Sequence, residues 1–222
     1  MVRVRGWLAE AWDLIGADLP IFAVAGFLTI AISLFTAFIL FLPLVAGLCL
    51  MFSEKLQGNK PELAHLWEGV TSRFPAAITV WVILMLTTLP FDFANAYLHG
   101  MEGFFPAIGI IIVFAGLWLV GTPLFFCLPL IADRDVSARD ALRLSWAQVR
   151  PRWGGILAAV IVYSLVMLFG VIACGVGVII TLPLIVGAQM LAYREYFRDF
   201  EVPRMIPIKE PSGSEGEDNA QD

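Results

Sequence analysis

Residues 154–193 read "GGILAAVIVYSLVMLFGVIACGVGVIITLPLIVGAQMLAY" and contain no charged residue. This run is about twice as long as the roughly 20 residues with which a helix crosses about 30 Å of hydrocarbon. The glycines of "CGVGV" at 174–178 permit a short turn between two helices. The stretch therefore predicts a hairpin of two membrane-spanning helices.

Three other uncharged runs lie at 19–52, 74–91 and 103–132. The chain is 59% hydrophobic and 15% charged, with a mean hydropathy of +0.84, values far from those of a soluble domain. The apolar runs are continuous rather than alternating, which argues against a membrane-embedded barrel. We predict an all-α integral membrane protein.

The number of spans follows from the distribution of basic residues. The run 19–52 is also too long for one helix, and we expect it to fold back near Phe35–Phe38, although no turn residues mark the place. With six spans and the N-terminus inside, all 14 Lys and Arg residues fall on the inner side and the three outer turns hold none. Four long, kinked spans would scatter them over both sides, against the positive-inside bias. We therefore predict six spans in the bacterial inner (cytoplasmic) membrane, with both termini in the cytoplasm.

A sequence motif of a tryptophan, charged residues and a helix breaker occurs three times. The copies are "AWDLIGADLP" (11–20), "LWEGVTSRFP" (66–75) and "SWAQVRPRWG" (145–154). Each copy precedes an apolar run and indicates a short amphipathic helix in the membrane interface. We predict three repeats, each an interfacial helix followed by a transmembrane hairpin. The repeats cover residues 7–57, 62–135 and 137–200, within one membrane domain of residues 1–200.

The stretch 137–150 shows the pattern of an interfacial helix most clearly. Ser137 and Asp140 resemble a capping box at its start. The residues at helical spacing on its apolar face are Ala138, Ala141, Leu142, Trp146 and Val149. We expect this face to lie in the acyl boundary, with the arginines of the other face near anionic headgroups.

Two sets of residues on the inner side are candidates for a role at the membrane surface. The predicted interfacial anchors are Trp12, Trp67, Trp146 and Trp153. The residues predicted to dock an anionic lipid or a partner protein are Arg139, Arg143, Arg150 and Arg152. The charged cluster at 133–143 fits a docking surface, and it equally fits a self-satisfied network of ion pairs on a solvated turn.

The polar groups inside the predicted spans are few. Gln189 is the most polar of them, and we expect it to bond across helices, since facing lipid would cost several kcal/mol. Three prolines, Pro43, Pro129 and Pro183, are predicted helix breakers in "LPLVAG", "LPLIAD" and "LPLIVG". Their lost backbone hydrogen bonds must be replaced by neighbouring groups or water.

The sequence offers little that could support catalysis or metal binding. His65 and His99 fall on opposite sides of the membrane in this topology and cannot share a metal ion. The three cysteines, Cys49, Cys127 and Cys174, lie in apolar stretches and are expected to pack as small hydrophobes. No phosphate-binding loop, dinucleotide fingerprint or H-E-x-x-H pattern is present. We predict that the protein is not an enzyme and binds no metal and no cofactor. The weakest alternative is an enzyme that acts on lipid, and its only candidate acid–base groups are Asp133, Asp135 and Asp140.

The charge of the chain is concentrated in its C-terminal tail. Residues 201–222 hold six acidic and two basic residues, and we predict an acidic, disordered cytoplasmic tail. An acidic tail argues against nucleic acid as a partner. The expected partners are membrane lipids with anionic headgroups at the inner face, and a membrane protein.

Two stretches carry a resemblance to a known group of proteins. They are "GTPLFFCLPLIADRDVSARDALRLSWAQVRPRW" (121–153) and "LPLVAGLCLMFSEKLQGNKPELAHLWEGV" (42–70). They resemble bacterial inner-membrane proteins of the YciC-like group and the membrane domain fused to some glycerophosphodiester phosphodiesterases. The resemblance covers most of residues 1–200. It implies a six-helix bundle and no particular activity.

These observations favour a non-enzymatic, multi-pass inner-membrane protein that acts through lipid contact or partner docking at its cytoplasmic face. The alternative is a transporter or channel component for an uncharged or amphiphilic solute, suggested by the three repeats and the prolines within spans.

Overall fold

The computed structural model describes residues 3–100, 104–173 and 176–198, apart from the side chain of Val176. Every regular element in these ranges is helical. The α-helices are α1 (Val4–Ala17), α2 (Leu19–Phe35), α3 (Phe41–Leu56), α4 (Leu63–Thr71), α5 (Phe74–His99), α6 (Phe105–Leu124), α7 (Cys127–Arg134), α8 (Ala138–Val149), α9 (Trp153–Ile172) and α10 (Val176–Phe197). A single 3-10 turn, Arg150–Arg152, joins α8 to α9. The predicted tail at 201–222 and Cys174 lie outside the described residues.

Four helical segments of the described chain are long and apolar enough to cross a membrane. They are Phe74–His99, Phe105–Arg134, Ala138–Ile172 and Gly177–Phe197. A fifth results if α1 and α2, which are bent by 105° relative to each other, count as one broken span. This confirms an all-helical membrane protein. Because α2 and α3 have 17 and 16 residues, each is shorter than the about 20 that a perpendicular span needs, and six spans stay a prediction.

The chain turns within both of the longest apolar runs. Residues 36–40 separate α2 from α3, and Ala37 and Phe38 adopt positive φ angles of 48° and 64° there. The expected fold-back near Phe35–Phe38 is therefore confirmed, although neither residue type favours that conformation. In the last run, α9 ends at Ile172 and α10 begins at Val176, as the glycines at 174–178 predicted.

The three short amphipathic helices exist as α1, α4 and α8, and each buries part of its apolar face against the bundle. In α1 the buried stripe consists of Trp7, Ala11 and Ile15, each no more than 1% exposed, and this helix packs along α10. The expectation that such faces lie in the acyl boundary is wrong for these residues. A stripe spaced by four residues buries equally well against protein or lipid, so the sequence pattern does not distinguish the two.

Small residues explain how α4 comes so close to α3. Gly69 of α4 lies against Gly47 and the Pro43 carbonyl of α3. A Cβ atom on Gly69 would come within 2.6 Å of that carbonyl oxygen, so only glycine allows this approach.

In α8 the buried stripe keeps three of the five predicted residues, and Leu142 is only partly buried. The buried residues are Ala138, Ala141, Ser145 and Val149. Trp146 is 44% exposed, so Ser145 and not Trp146 faces the bundle. Ser137 is the N-cap, and its hydroxyl oxygen accepts a hydrogen bond from the Asp140 N–H at 3.3 Å, which confirms the predicted start of the helix.

The prolines predicted to break helices occupy two kinds of position. Pro43 and Pro129 are the third residues of α3 and α7, where a backbone N–H would have no partner within the helix. Pro183 lies inside α10 and frees the Ile179 carbonyl, which faces Gly26 of α2 so closely that a methyl group there would overlap it.

The break between α6 and α7 is bridged by side chains from two other helices. The Ser145 hydroxyl donates to the Pro123 carbonyl at 2.6 Å and accepts from the Phe126 N–H at 3.2 Å. The Gln189 side-chain amide donates to the Phe125 carbonyl, whose usual helical donor would be residue 129, a proline. Gln189 therefore bonds across helices, and its amide supplies a donor to a backbone carbonyl at the break.

The element order of a short helix and two longer helical segments occurs three times, as α1–α3, α4–α7 and α8–α10. The units differ in detail, because α6–α7 is interrupted and α1–α2 is sharply bent. An internal sequence repeat stays a prediction.

Candidate functional site

A hydrogen-bonded network joins α3, α7 and α10 at one end of the bundle. The Asp133 carboxylate accepts from the Ser53 hydroxyl and from the Tyr193 hydroxyl, each at 2.8 Å. The Arg134 Nε donates to the Tyr193 oxygen at 2.8 Å, and its Nη2 donates to the Phe197 carbonyl at 3.2 Å. For Asp133 and Arg134 the structure therefore favours the self-satisfied network, the second of the two alternatives for the charged cluster at 133–143.

The C-terminal end of α10 also contacts α1 and α3. The Trp7 indole N–H donates to the Glu195 carboxylate at 2.7 Å, and Trp7 is only 1% exposed. Arg194 donates to the Leu56 carbonyl at 2.9 Å, which caps the end of α3. These bonds fix the direction in which the last turn of α10 presents its charged side chains.

A cavity of about 760 Å³ lies at this end of the bundle. We call it the arginine pocket, and it is lined by Arg3, Asp133, Arg134, Tyr193, Arg194, Glu195, Phe197 and Arg198. Four guanidinium groups face two carboxylates, and both carboxylates accept hydrogen bonds from neutral donors. Arg3 is also paired with Glu10 at 3.3 Å, so the pocket keeps a small excess of positive charge, with planar donors suited to phosphate oxygens.

The four arginines predicted as docking residues do not line this pocket. Arg139, Arg143, Arg150 and Arg152 are all exposed, on α8 and the 3-10 turn. The Arg152 guanidinium lies 5.1 Å from the centre of the Tyr196 ring. Gln148 donates to the Tyr196 carbonyl at 3.0 Å, so α8 is attached to the same end of α10.

Sequence reasoning missed Arg3, Arg194 and Arg198 as pocket residues. The signal that could have found two of them is the segment "YREYFR" at 193–198, in which arginines alternate with aromatic residues at the end of a span. Arg3 carries no such signal, because it reaches the pocket only when α1 packs against α10.

Two ion pairs hold the neighbouring turns. Lys55 of α3 pairs with Asp18 at the bend between α1 and α2. Arg73, just before α5, pairs with Asp135, just after α7. Asp140 accepts from the Ser137 hydroxyl at 2.7 Å. The three aspartates named as acid–base candidates are thus each bonded to a structural partner.

The four tryptophans predicted to anchor the protein in the membrane interface are at least partly exposed, and their anchoring role stays a prediction. Trp12, Trp67 and Trp146 are 51%, 56% and 44% exposed. Trp153 is half-buried and packs edge-on against Trp146, with ring centres 5.6 Å apart.

Residues of the metal-ligating types are scattered. Within the ranges 3–100, 104–173 and 176–198, no three His, Cys, Asp or Glu side chains are grouped so that they could hold a metal ion. Cys49 and Cys127 are buried free thiols, packed as the sequence predicted.

The chain was compared with known protein families, curated proteins and solved structures. No family model matches the chain, and neither a curated protein nor a solved structure matches it.

Proposed function

We propose that this protein is a non-enzymatic, six-span inner-membrane protein that binds an anionic lipid headgroup in the arginine pocket at its cytoplasmic face. The observation that carries the proposal is the group of four arginines around one cavity of about 760 Å³. Arginine binds phosphate oxygens through two parallel N–H donors, and such charge-assisted bonds are the stronger kind.

The position of the pocket favours a lipid over a free anion. Arg194 and Arg198 stand at the end of the candidate span Gly177–Phe197, the level at which headgroups meet a transmembrane helix. Tyr193 and Phe197 line the same cavity but are almost fully buried, so the arginines supply the contacts with a lipid.

The two ends of the described chain support the six-span topology. Arg3 precedes α1 and Arg198 follows α10, yet both line one cavity. This supports the proposal that both ends lie on the same side, which fits an even number of crossings such as six. Excess arginine on that side is typical of the cytoplasmic face. The resemblance to the YciC-like group, with its six-helix bundle, belongs to the same proposal.

The absence of catalysis is part of the proposal and is supported by the bonding of the acidic groups. Asp133 is engaged by Ser53 and Tyr193, and Asp135 by Arg73. A carboxylate that moves protons during turnover must be positioned against a substrate, and both of these are positioned against groups of the protein itself, where they join neighbouring segments.

The test measures anionic lipid retained by the full chain in nanodiscs of phosphatidylethanolamine with a minor fraction of phosphatidylglycerol. Native mass spectrometry of the extracted protein counts the bound lipids. The pocket variant is Arg3→Gln with Arg198→Gln, which leaves the Asp133 network intact. The matched control is Arg139→Gln with Arg143→Gln, which removes the same charge from exposed positions on α8.

We expect the pocket variant to lose most of its retained phosphatidylglycerol and the control to keep it. The loss of Arg3 should not unfold the protein, since its 3.3 Å pair with Glu10 is exposed and such pairs contribute little. If only the α8 variant loses lipid, the exposed helix face is the site and the pocket is not. If both variants retain as much phosphatidylglycerol as the unchanged protein, neither set of arginines binds anionic lipid and the proposal is wrong.

A further inference from the structure

The arginine pocket contains acceptors as well as donors. The carboxylates of Asp133 and Glu195 line it together with the four guanidinium groups, and both residues are exposed. Among the described residues, Asp133 accepts from the Ser53 and Tyr193 hydroxyls and Glu195 accepts from the Trp7 indole. These donors are all neutral, so neither carboxylate is neutralised by an ion pair within the described chain. A molecule in the pocket therefore meets cationic donors and anionic acceptors side by side.

Glu195 is the more available of the two carboxylates. Its Oε2 accepts from the Trp7 N–H at 2.7 Å, and its Oε1 has no hydrogen-bond partner among the described residues. Asp133 instead has one donor on each oxygen. Because each carboxylate oxygen can accept two hydrogen bonds, Glu195 keeps most of its accepting capacity for a molecule in the pocket.

The packing of α1 on α10 fixes the place of this acceptor. Trp7 is 1% exposed and belongs to the buried stripe of α1, so its indole holds the Glu195 carboxylate from a rigid position. Glu195 directly follows Arg194, and Arg198 comes three positions later, a spacing that brings side chains on adjacent turns close together. The free oxygen of Glu195 therefore lies on the same wall as two of the arginines.

This arrangement restricts the headgroup that fits. A second negative charge beside the phosphate, such as the carboxylate of phosphatidylserine, would be repelled by Glu195 and Asp133. A plain alkyl headgroup would leave the Glu195 oxygen without a donor. A hydroxyl group donates to it, and such a bond to a charged acceptor is about twice as strong as one between neutral groups. The ammonium group of phosphatidylethanolamine also donates, but it makes the lipid neutral and removes its attraction to the excess positive charge.

We propose that the arginine pocket selects an anionic lipid whose headgroup carries hydroxyl groups, as phosphatidylglycerol does. The phosphate binds the arginines, and a headgroup hydroxyl donates to Glu195 Oε1. This inference rests on the proposed function, because it needs the phosphate on the arginines. It also goes beyond that function, because charge alone does not distinguish phosphatidylglycerol from other lipids with one negative charge.

Two lipids of equal charge separate the hydroxyl contact from the charge. Phosphatidylglycerol and phosphatidylpropanol with the same acyl chains differ only in the two hydroxyl groups of the headgroup. The full chain is placed in nanodiscs of phosphatidylethanolamine with equal minor fractions of both, and native mass spectrometry of the extracted protein gives the ratio retained. We expect about two- to tenfold more phosphatidylglycerol than phosphatidylpropanol, the effect of one hydrogen bond.

Glu195→Gln tests the acceptor. The new amide oxygen can still accept from the Trp7 indole, so the packing of α1 is kept while the charged acceptor is lost. We expect the ratio to fall toward one. The matched control is Glu10→Gln, which removes the same charge from an exposed partner of Arg3 that does not line the pocket, and it should leave the ratio unchanged. Circular dichroism and size-exclusion profiles check that each variant is folded.

The outcomes separate this inference from the proposed function. A ratio that falls in Glu195→Gln and not in Glu10→Gln supports the hydroxyl contact. Equal retention of the two lipids by the unchanged protein, or an unchanged ratio in Glu195→Gln, overturns it. If both lipids are nevertheless lost when Arg3 and Arg198 are replaced by glutamine, the pocket binds phosphate and only the hydroxyl contact is wrong. If the unchanged protein enriches neither lipid over phosphatidylethanolamine, the proposed function fails and this inference fails with it.

Discussion

The side-chain amide of Gln189 in α10 donates a hydrogen bond to the backbone carbonyl of Phe125, 64 positions earlier in the chain. The carbonyl is available because Phe125 lies at the break between α6 and α7 and because residue 129 is a proline. One polar side chain in an apolar helix therefore completes the backbone hydrogen bonding of another helix.

Removal of this bond should weaken the bundle. We expect Gln189→Leu to lower the free energy of unfolding by about 0.5–2 kcal/mol, the range found for hydrogen bonds between membrane helices. Unfolding in a denaturing detergent, followed by circular dichroism, measures the change. Gln57→Leu is the control and should change stability less, because it removes only a 3.3 Å bond from an exposed amide to the Ser53 hydroxyl. Equal effects of the two substitutions would contradict the structural role of Gln189.

The Asp133–Tyr193 bond predicts an energetic coupling between α7 and α10. Asp133→Asn and Tyr193→Phe should each destabilise the protein, and the double variant should lose less than the sum, with a coupling of about 0.5–3 kcal/mol. The free energy of unfolding of all four proteins completes the cycle. As a control, Glu68→Gln takes the place of Asp133→Asn in the same cycle. Glu68 is an exposed carboxylate on α4, and its substitution should show no coupling to Tyr193→Phe. Additive effects at Asp133 and Tyr193 would mean that the 2.8 Å bond contributes nothing to stability.

Two glycine-to-alanine substitutions should have opposite effects. A methyl group on Gly47 would come within 2.7 Å of the Leu66 Cα, so Gly47→Ala should separate α3 from α4 and destabilise the protein by about 1–3 kcal/mol. Gly16→Ala places the methyl group in open space on α1 and should stabilise by up to about 1 kcal/mol, because alanine favours helix. Thermal unfolding of the two variants measures the difference. A Gly47→Ala protein as stable as the unchanged one would show that the two helices do not approach so closely.

Single cysteines test the six-span topology in a variant whose three native cysteines are replaced by alanine. Asn59→Cys, in the turn before α4, should react with a membrane-impermeant maleimide only from the cytoplasmic side. His99→Cys, across the 26-residue helix α5, should react only from the other side.

Phe38→Cys decides how the first hairpin is placed. Phe38 is 51% exposed in the turn between α2 and α3. Labelling from the side opposite to Asn59→Cys is the expected result, since both helices then cross the membrane. Labelling from the cytoplasmic side, or none in intact membranes, would indicate a re-entrant hairpin and fewer than six spans.

Much of this fold is predictable because its signals are local. Uncharged runs and the cap at Ser137 each depend on a few consecutive residues, whereas the fold-back near Phe35–Phe38 was expected only from the length of its run and the placement of basic residues. The need of Gln189 for a partner is also local, since an amide among apolar side chains must be paired wherever the chain goes.

The tertiary structure decided what the local signals leave open. It made Phe125 the partner of Gln189, turned Ser145 rather than Trp146 toward the bundle, and packed the apolar face of α1 on α10 instead of on lipid. It also brought Arg3 and Arg198, from opposite ends of the described chain, to one pocket. The sequence by itself determined which segments are helical and apolar, because hydropathy, turns and caps act over a few residues. Only the packing of the helices determined which faces meet, because that depends on how each helix is rotated and on how closely small residues let its neighbours approach.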